Sequence, residues 1–173
     1  MRVLILGGTR FVGPHVVRQL AARGHEIAIF HRGATETELP ARVHHVHGGF
    51  ASFSEHLDEL KRLNPEVVLD MAPLREEDAA RVKAFAGVAR RVVVVSSQDV
   101  YRAFGRLWRT EPGHPDAVPL TEDSPLREKL SGAGLDYNKT AIERAVINDL
   151  RNRHGKVLCK ADFPVSIACY VVD

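Results

Sequence analysis

Seven residues near the start of the chain, Gly7, Gly8, Thr9, Arg10, Phe11, Val12 and Gly13, have the types and spacing to hold an anion. Residues 3–7 form a short apolar run of the kind that builds a strand buried on both faces, and the glycine pair ends it. Val12, Val16, Val17 and Leu20 then recur at helical spacing, and Gly24 closes the segment as a C-terminal cap would. A strand, a tight glycine turn and a helix in that order aim backbone N–H groups and the positive end of the helix dipole at whatever sits above the turn. A phosphate cradle is the expectation. Gly7 suits the tight turn and Gly13 allows close helix–strand packing, two of the three glycine roles in dinucleotide-binding loops. Near the third position Arg10 replaces glycine, adding bulk and a guanidinium able to bond phosphate through two N–H groups. A strand-to-helix connection without nucleotide is the plainer alternative.

Residues 26–30 read as a second strand, and the three residues after it bear on the choice of dinucleotide. An NAD-specific loop would place an acidic residue there for the ribose 2′-OH, whereas this chain has His31, Arg32 and Gly33. Arg32 suits a 2′-phosphate, which favours NADP over NAD, the alternative being a solvated loop arginine. Met71, Ala72 and Pro73 come after a fourth strand over residues 65–70 and fall at the rim where open α/β sheets bind ligands, though Met71 suits a core equally. The tract His44, His45, Val46, His47 invites a metal reading. His44 and His45 point to opposite faces of a strand, however, and no Cys or carboxylate stands at ligand spacing, so these are read as strand histidines and no metal is expected.

These positions need a scaffold, and the pattern supplies one. Strand and helix alternate: a third strand over 43–46, a helix over 54–63 with Ser52 or Ser54 as N-cap, a helix over 76–90, a fifth strand over 91–96 and a helix running to about 153. Alternation of this kind implies a doubly wound α/β domain with a parallel sheet, one domain over residues 1–173. With 173 residues, 45% hydrophobic and 27% charged, there is room for one real core, and the net charge of +2 argues against nucleic acid as partner. Cys159 and Cys169 lack CxxC spacing and read as reduced packing residues. No apolar run approaches the roughly 18 residues of a membrane span, and the chain begins in a core strand, so a cytoplasmic protein without membrane contact is expected. Residues 102–131 form a long loop of the lid or substrate-loop kind. Within it Trp108 reads as packed back on the domain surface, with stacking on a substrate ring as the alternative.

The run Val92 to Tyr101, containing Ser96, Ser97, Val100 and Tyr101, resembles the SSxxVY segment of the extended short-chain dehydrogenase/reductases, the NAD-dependent epimerase/dehydratase family. Residues 120–126 are similar to that family's acidic-Ser-Pro-Leu stretch, and Lys139 with Glu143 matches its Lys-x-x-x-Glu helix. The resemblance runs from Met1 to about Val146 and covers the cofactor half. It implies a Rossmann-type NAD(P) site formed by residues 7–13, Arg32, Gly33, residues 71–73, Ser96 and Lys139. It also implies hydride transfer to or from a hydroxyl or carbonyl, of the nucleotide-sugar kind among others. Ser97 would polarise the substrate oxygen, a tyrosine would exchange the proton, and Lys139 would hold the ribose and lower the tyrosine pKa.

Departures from the pattern set limits. A helical Tyr-x-x-x-Lys pair needs a tyrosine at position 135, where Leu135 stands, while Tyr137 lies two residues before Lys139 and on roughly the opposite side of a helix. A loop before Lys139 would still bring Tyr137 round. His47, Gly48, Gly49 and Phe50 occupy the place of the family's adenine-contacting aspartate. These features resemble the atypical branch, in which some members keep the nucleotide and lose the redox step. Residues 164–172 read as the last strand, with 156–160 as the alternative, and family members continue well beyond this length. The expectation is a truncated member or an isolated cofactor domain, the substrate being undetermined. A non-catalytic nucleotide-binding or redox-sensing module and an inactive fragment stay open beside the enzyme. Homodimerisation through the stripe Ile142, Val146 and Leu150 is one reading, packing of that stripe on its own sheet the other.

Overall fold

The computed structural model describes residues 1–35, 38–121, 123–128, 138–152, 157–160 and 169–172. Five strands, β1 (Arg2–Leu6), β2 (Glu26–His31), β3 (His44–His47), β4 (Val67–Asp70) and β5 (Arg91–Val95), pair in parallel. β1, β2, β4 and β5 are short and largely apolar, as strands between two helical layers require, whereas the edge strand β3 is mostly histidine and buries only Val46. Alternation sorts their side chains between two cores. Val3, Ile5, Ile27 and Ile29 meet Val17 and Ala21 of α1 (Gly13–Ala22) on one face. Leu4, Leu6, Phe30, Val68, Val92 and Val94 meet the other helices on the opposite face. Those helices are α2 (Phe53–Arg62), α3 (Ala79–Ala84) and α5 (Lys139–Asn152), while α4 (Arg102–Leu107) lies in the segment after β5. Phe30, Phe85, Leu60 and Ile142 are fully buried or nearly so, each contributing about 1.5–3 kcal/mol relative to exposure.

Strand order is β3-β2-β1-β4-β5-β7-β6, where β6 is Val157–Lys160 and β7 is Cys169–Val172. The connection leaves β1 for β2 on one side and β3 for β4 on the other. Right-handed crossovers therefore place α1 and α2 on opposite faces, and a crevice opens between the C-terminal ends of β1 and β4. The tract read as the last strand, 164–172, is described only at Cys169–Val172, and there it departs from the parallel direction of the rest of the sheet. Both C-terminal tracts are strands, and β7 runs antiparallel to β5 (Val92 opposite Val172) and to β6 (Val157 opposite Val172). β6 stands one position beyond β5, and β7 fills the gap between them in the reverse direction.

Local expectations are also refined. α1 ends in a Schellman arrangement, with Gly24 at φ +81 donating to Ala21 and His25 donating to Leu20, as Gly24's place predicted. The helix over 76–90 is shorter: a 3-10 turn (Glu76–Asp78) leads into α3, which stops before the buried Phe85 and the left-handed Gly87. At the start of α2, Ser52 holds the N-cap position without capping through its side chain and donates instead to Gly49 O at 3.3 Å. Ile142 and Val146 are buried against this chain's own core, which favours the own-sheet reading of the α5 stripe.

Candidate functional site

The glycine turn continues the sheet before it leaves it. Gly7 N–H donates to Phe30 O at 2.9 Å, and both Gly7 (φ +92) and Gly8 (φ +93) adopt left-handed backbone that disfavours any side chain. The turn then folds back so far that a Cβ on Gly13 would stand 2.5 Å from Gly8 backbone atoms. Only glycine fits at both points of this contact. No side chain among the described residues caps the start of α1, whose first turn opens toward the crevice. Phe11 sits at φ +51 and is 89% exposed on the outside of the turn.

The turn's neighbours across the crevice are residues 71–73. Met71 N–H donates to Leu6 O at 3.0 Å, and a Cβ on Gly7 would lie 3.3 Å from Ala72 Cβ. Sequence reasoning missed what holds this loop. Asp70, the last residue of β4, is 1% exposed and accepts the Ala72 N–H at 3.1 Å. Arg81 of α3 donates to its carboxylate at 2.9 Å, to Ala72 O at 3.2 Å and to Asp78 at 2.5 Å, with its guanidinium 4.4 Å from the Phe50 ring centre. Burial pushes the Asp70 carboxyl up, against the pull of Arg81. Burial also raises Asp78, but the N–H groups of Arg75 and Leu74 and the Arg81 charge outweigh it and hold Asp78 low. An acidic residue ending an apolar strand, with an arginine eleven residues on, was the available signal.

On the other side of the turn, Arg10 Nε donates to Thr35 Oγ1 at 2.9 Å. Arg10 thus leans from the glycine turn over the loop that comes after β2, where Arg32 is exposed and Gly33 turns at φ +72. The two arginines singled out in the sequence are on one rim. Gly48 answers a second packing demand, since a Cβ there would be 2.6 Å from the Phe30 and His56 rings.

The end of β5 is made of side chains. Ser96 is buried and donates to Glu143 Oε1 at 2.5 Å. Ser97 caps a 3-10 turn (Gln98–Val100) by accepting the Asp99 N–H at 3.2 Å. Lys139 is 8% exposed, and its Nζ donates to Pro73 O and, at 3.3 Å, to Val95 O. It therefore ties the β4 rim to the β5 rim. Burial pushes this amine down, against Asp70, Asp78 and Glu143. Asn138 Oδ1 accepts the Ala141 N–H at 3.0 Å, so the helix starts at Lys139 and the helical i, i+4 rule does not govern the residues before it. Tyr137 lies outside the described residues.

The segment after β5 is anchored by Arg127, which is buried and donates to Asp99 and, at 3.0 Å, to Thr110 Oγ1. Arg102 and Arg106 both reach Asp116 at 2.7 Å. The described parts of 102–131 thus include α4 and a bonded arch, and Trp108 corrects its expectation by standing 71% exposed. No helix among the described residues is long and apolar enough to cross a membrane.

The model of the NAD dependent epimerase/dehydratase family matches residues 3–127, which hold the glycine turn, the β4 rim and Ser96 and Ser97. The chain belongs to this family. It is 33% identical over 147 residues to the 2'-dehydrokanamycin reductase of Streptomyces kanamyceticus, a match covering 84% of this chain and 38% of that protein. The Bordetella bronchiseptica enzyme WbmG, solved in complex with NAD, shares the fold at TM-score 0.66 and 21% identity, over 86% of this chain and 49% of that one. MoeE5, solved with UDP-glucose and NAD, aligns at TM-score 0.61 and 26% identity over 86% of this chain and 48% of that one. The chain spans about half the length of these solved structures and less of the curated relative.

Proposed function

We propose that this chain builds the nicotinamide dinucleotide site of an oxidoreductase, with NADP(H) as the preferred form. The reaction would be hydride transfer between the nicotinamide and a carbinol or carbonyl carbon of a sugar-like substrate. The observation that carries this reading is the glycine cradle at the β1–β4 crevice, where Gly13 closes on Gly8 and Gly7 faces Ala72 with no space for a Cβ at the Gly13 contact. That geometry lets backbone N–H groups approach a pyrophosphate at the helix start. The reductase relative and the NAD-bound structures support the same class of cofactor.

When bound, the dinucleotide supplies or accepts the hydride. The residues of the chain then divide the remaining work. Residues 7–13 and Arg10 hold the pyrophosphate side, and Arg32 with Gly33 receives the 2′-phosphate. Residues 71–73 wall the crevice, and Lys139 ties that wall to the end of β5 through Pro73 O and Val95 O. Ser97 already accepts the Asp99 N–H, which leaves its own O–H to donate to a substrate oxygen. Tyr137 is assigned the proton exchange. A non-catalytic dinucleotide-binding module is favoured by one observation, the engagement of Lys139 by two backbone carbonyls.

Titration of the chain with NADP+ and NAD+, read by thermal melting and calorimetry, tests the site. A ligand at a hundredfold excess over Kd adds roughly 2.7 kcal/mol to the folded state. NADP+ should stabilise more than NAD+, and Arg32→Ala should remove about a tenfold preference, the worth of one charge-assisted bond. Equal responses to both nucleotides in wild type and variant would refute the Arg32 assignment. No response to either would refute the dinucleotide site. Tyr137→Phe should abolish turnover while leaving dinucleotide binding intact; undiminished turnover would exclude Tyr137 as the proton carrier.

A further inference from the structure

The sequence shows three histidines in one short strand; the fold adds a fourth from its neighbour. Parallel pairing of β2 with β3 sets His31 opposite His47 and Ile29 opposite His45, so His31, His45 and His47 share one face of the sheet at its C-terminal edge. His44 projects to the other face. One nitrogen from each of the three rings lies within 4.8 Å of the other two. The nearest pair is His31 Nε2 and His45 Nδ1, 3.0 Å apart. Ring centres are 4.7 Å apart for His31 and His47 and 6.1 Å apart for His45 and His47.

We propose that His31, His45 and His47 form a three-histidine site for a divalent transition metal of the zinc class, with its remaining position open to solvent. Around a tetrahedral ion with bonds of about 2.0–2.1 Å, ligand nitrogens stand roughly 3.4 Å apart. The cluster needs only small ring rotations to meet that span. An all-imidazole donor set selects zinc, copper or nickel over magnesium or calcium, which take oxygen. The site also has an inner and an outer part. His31 is 4% exposed and is held from behind by the Gly33 N–H, which donates to its Nδ1 at 3.3 Å. His45 and His47 are exposed, so an ion has an approach from solvent. Coordination through His31 Nε2 moves its proton to Nδ1 and gives up the Gly33 contact, a long one, together with the bridge to His45. A bound ion therefore links β2 to β3 and reaches the turn that carries Arg32. The site stands on these contacts alone and does not depend on the dinucleotide reading.

The test is calorimetric titration of the metal-free chain, without a histidine tag, with ZnCl2, and a visible absorption spectrum with CoCl2. One saturable equivalent of zinc is expected, with cobalt bands of the intensity that four- or five-coordinate nitrogen sites give. His45→Ala and His47→Ala, both at exposed positions and expected to fold, should each weaken zinc by roughly tenfold or more. His44→Ala should leave zinc binding unchanged. The inference is overturned if the wild-type chain shows no saturable binding, or if the His45→Ala/His47→Ala double variant binds as the wild type does. The latter result would assign the zinc to adventitious surface histidines.

Discussion

The two rims of the crevice are built from different materials. The β1 rim is backbone: two left-handed glycines, a third glycine pressed on the second, and N–H groups contributed by a turn of seven consecutive residues. The β5 rim is side chains brought from far along the chain, with Ser96 bonded to Glu143 across 47 positions and Lys139 bonded to Pro73 across 66. Between them the Asp70–Arg81 pair fixes residues 71–73, which both rims touch. A backbone site tolerates most substitutions except those that add a Cβ where none fits. A side-chain site fails when one polar partner is lost, because the other stays buried.

The shared wall should show the largest effect. Asp70→Ala leaves the Arg81 guanidinium buried with Asp78 and Ala72 O as its remaining partners, and is expected to cost about 3 kcal/mol or more in urea unfolding. A cost below about 1 kcal/mol would show that Asp78 alone suffices and that the two rims are independent. Next comes the backbone rim. Gly13→Ala forces the turn to shift and should cost about 1–3 kcal/mol while abolishing dinucleotide binding, measured by titration of the variant. Retained binding would mean that the turn has slack the geometry does not show.

The side-chain rim predicts the reverse combination. Ser96→Ala strips Glu143 of a buried donor and should cost roughly 2 kcal/mol, with the affinity for dinucleotide changed little. A large loss of affinity would break the division between the rims. The smallest effect is a pH dependence. Asp78 has a lowered folded pKa, so the stability it adds is complete above its unfolded value, about 3.9, and is lost as pH falls through the folded value. Asp70, raised by burial, acts with the opposite sign: protonation as pH falls through its raised value favours the folded state. Melting temperatures from pH 6 to pH 2 should therefore fall less steeply in Asp78→Asn than in wild type. Parallel curves would remove Asp78 from the acid response.

Much of the β1 rim was legible because its causes are local. Gly7, Gly8 and Gly13 are each required by contacts within the turn or with the strand next to it, and Gly24 caps the helix that the turn begins. The apolar run and the glycine spacing carry that information in two dozen residues. The same locality made five parallel strands readable, since period and length suffice for short buried strands. Reading failed where direction or partner depends on distant chain. Strand periodicity is the same for either direction, so the tract ending at Val172 announced a strand but not that it would run antiparallel to β5.

The sequence by itself determined the doubly wound fold, the glycine turn between β1 and α1 and the membership of the NAD dependent epimerase/dehydratase family. Only the tertiary structure decided who meets whom. Asp70 and Arg81 are separated by a loop and a 3-10 turn, and only the packing of α3 under β4 makes them a buried pair. Lys139 reaches two carbonyls because α5 crosses the ends of β4 and β5. His31 joins His45 and His47 because register across a ladder, not spacing along a strand, sets which rings share a face. The physical reason is common to all three. Local pattern fixes which face a residue presents, whereas burial and pairing energies depend on what the fold puts against that face.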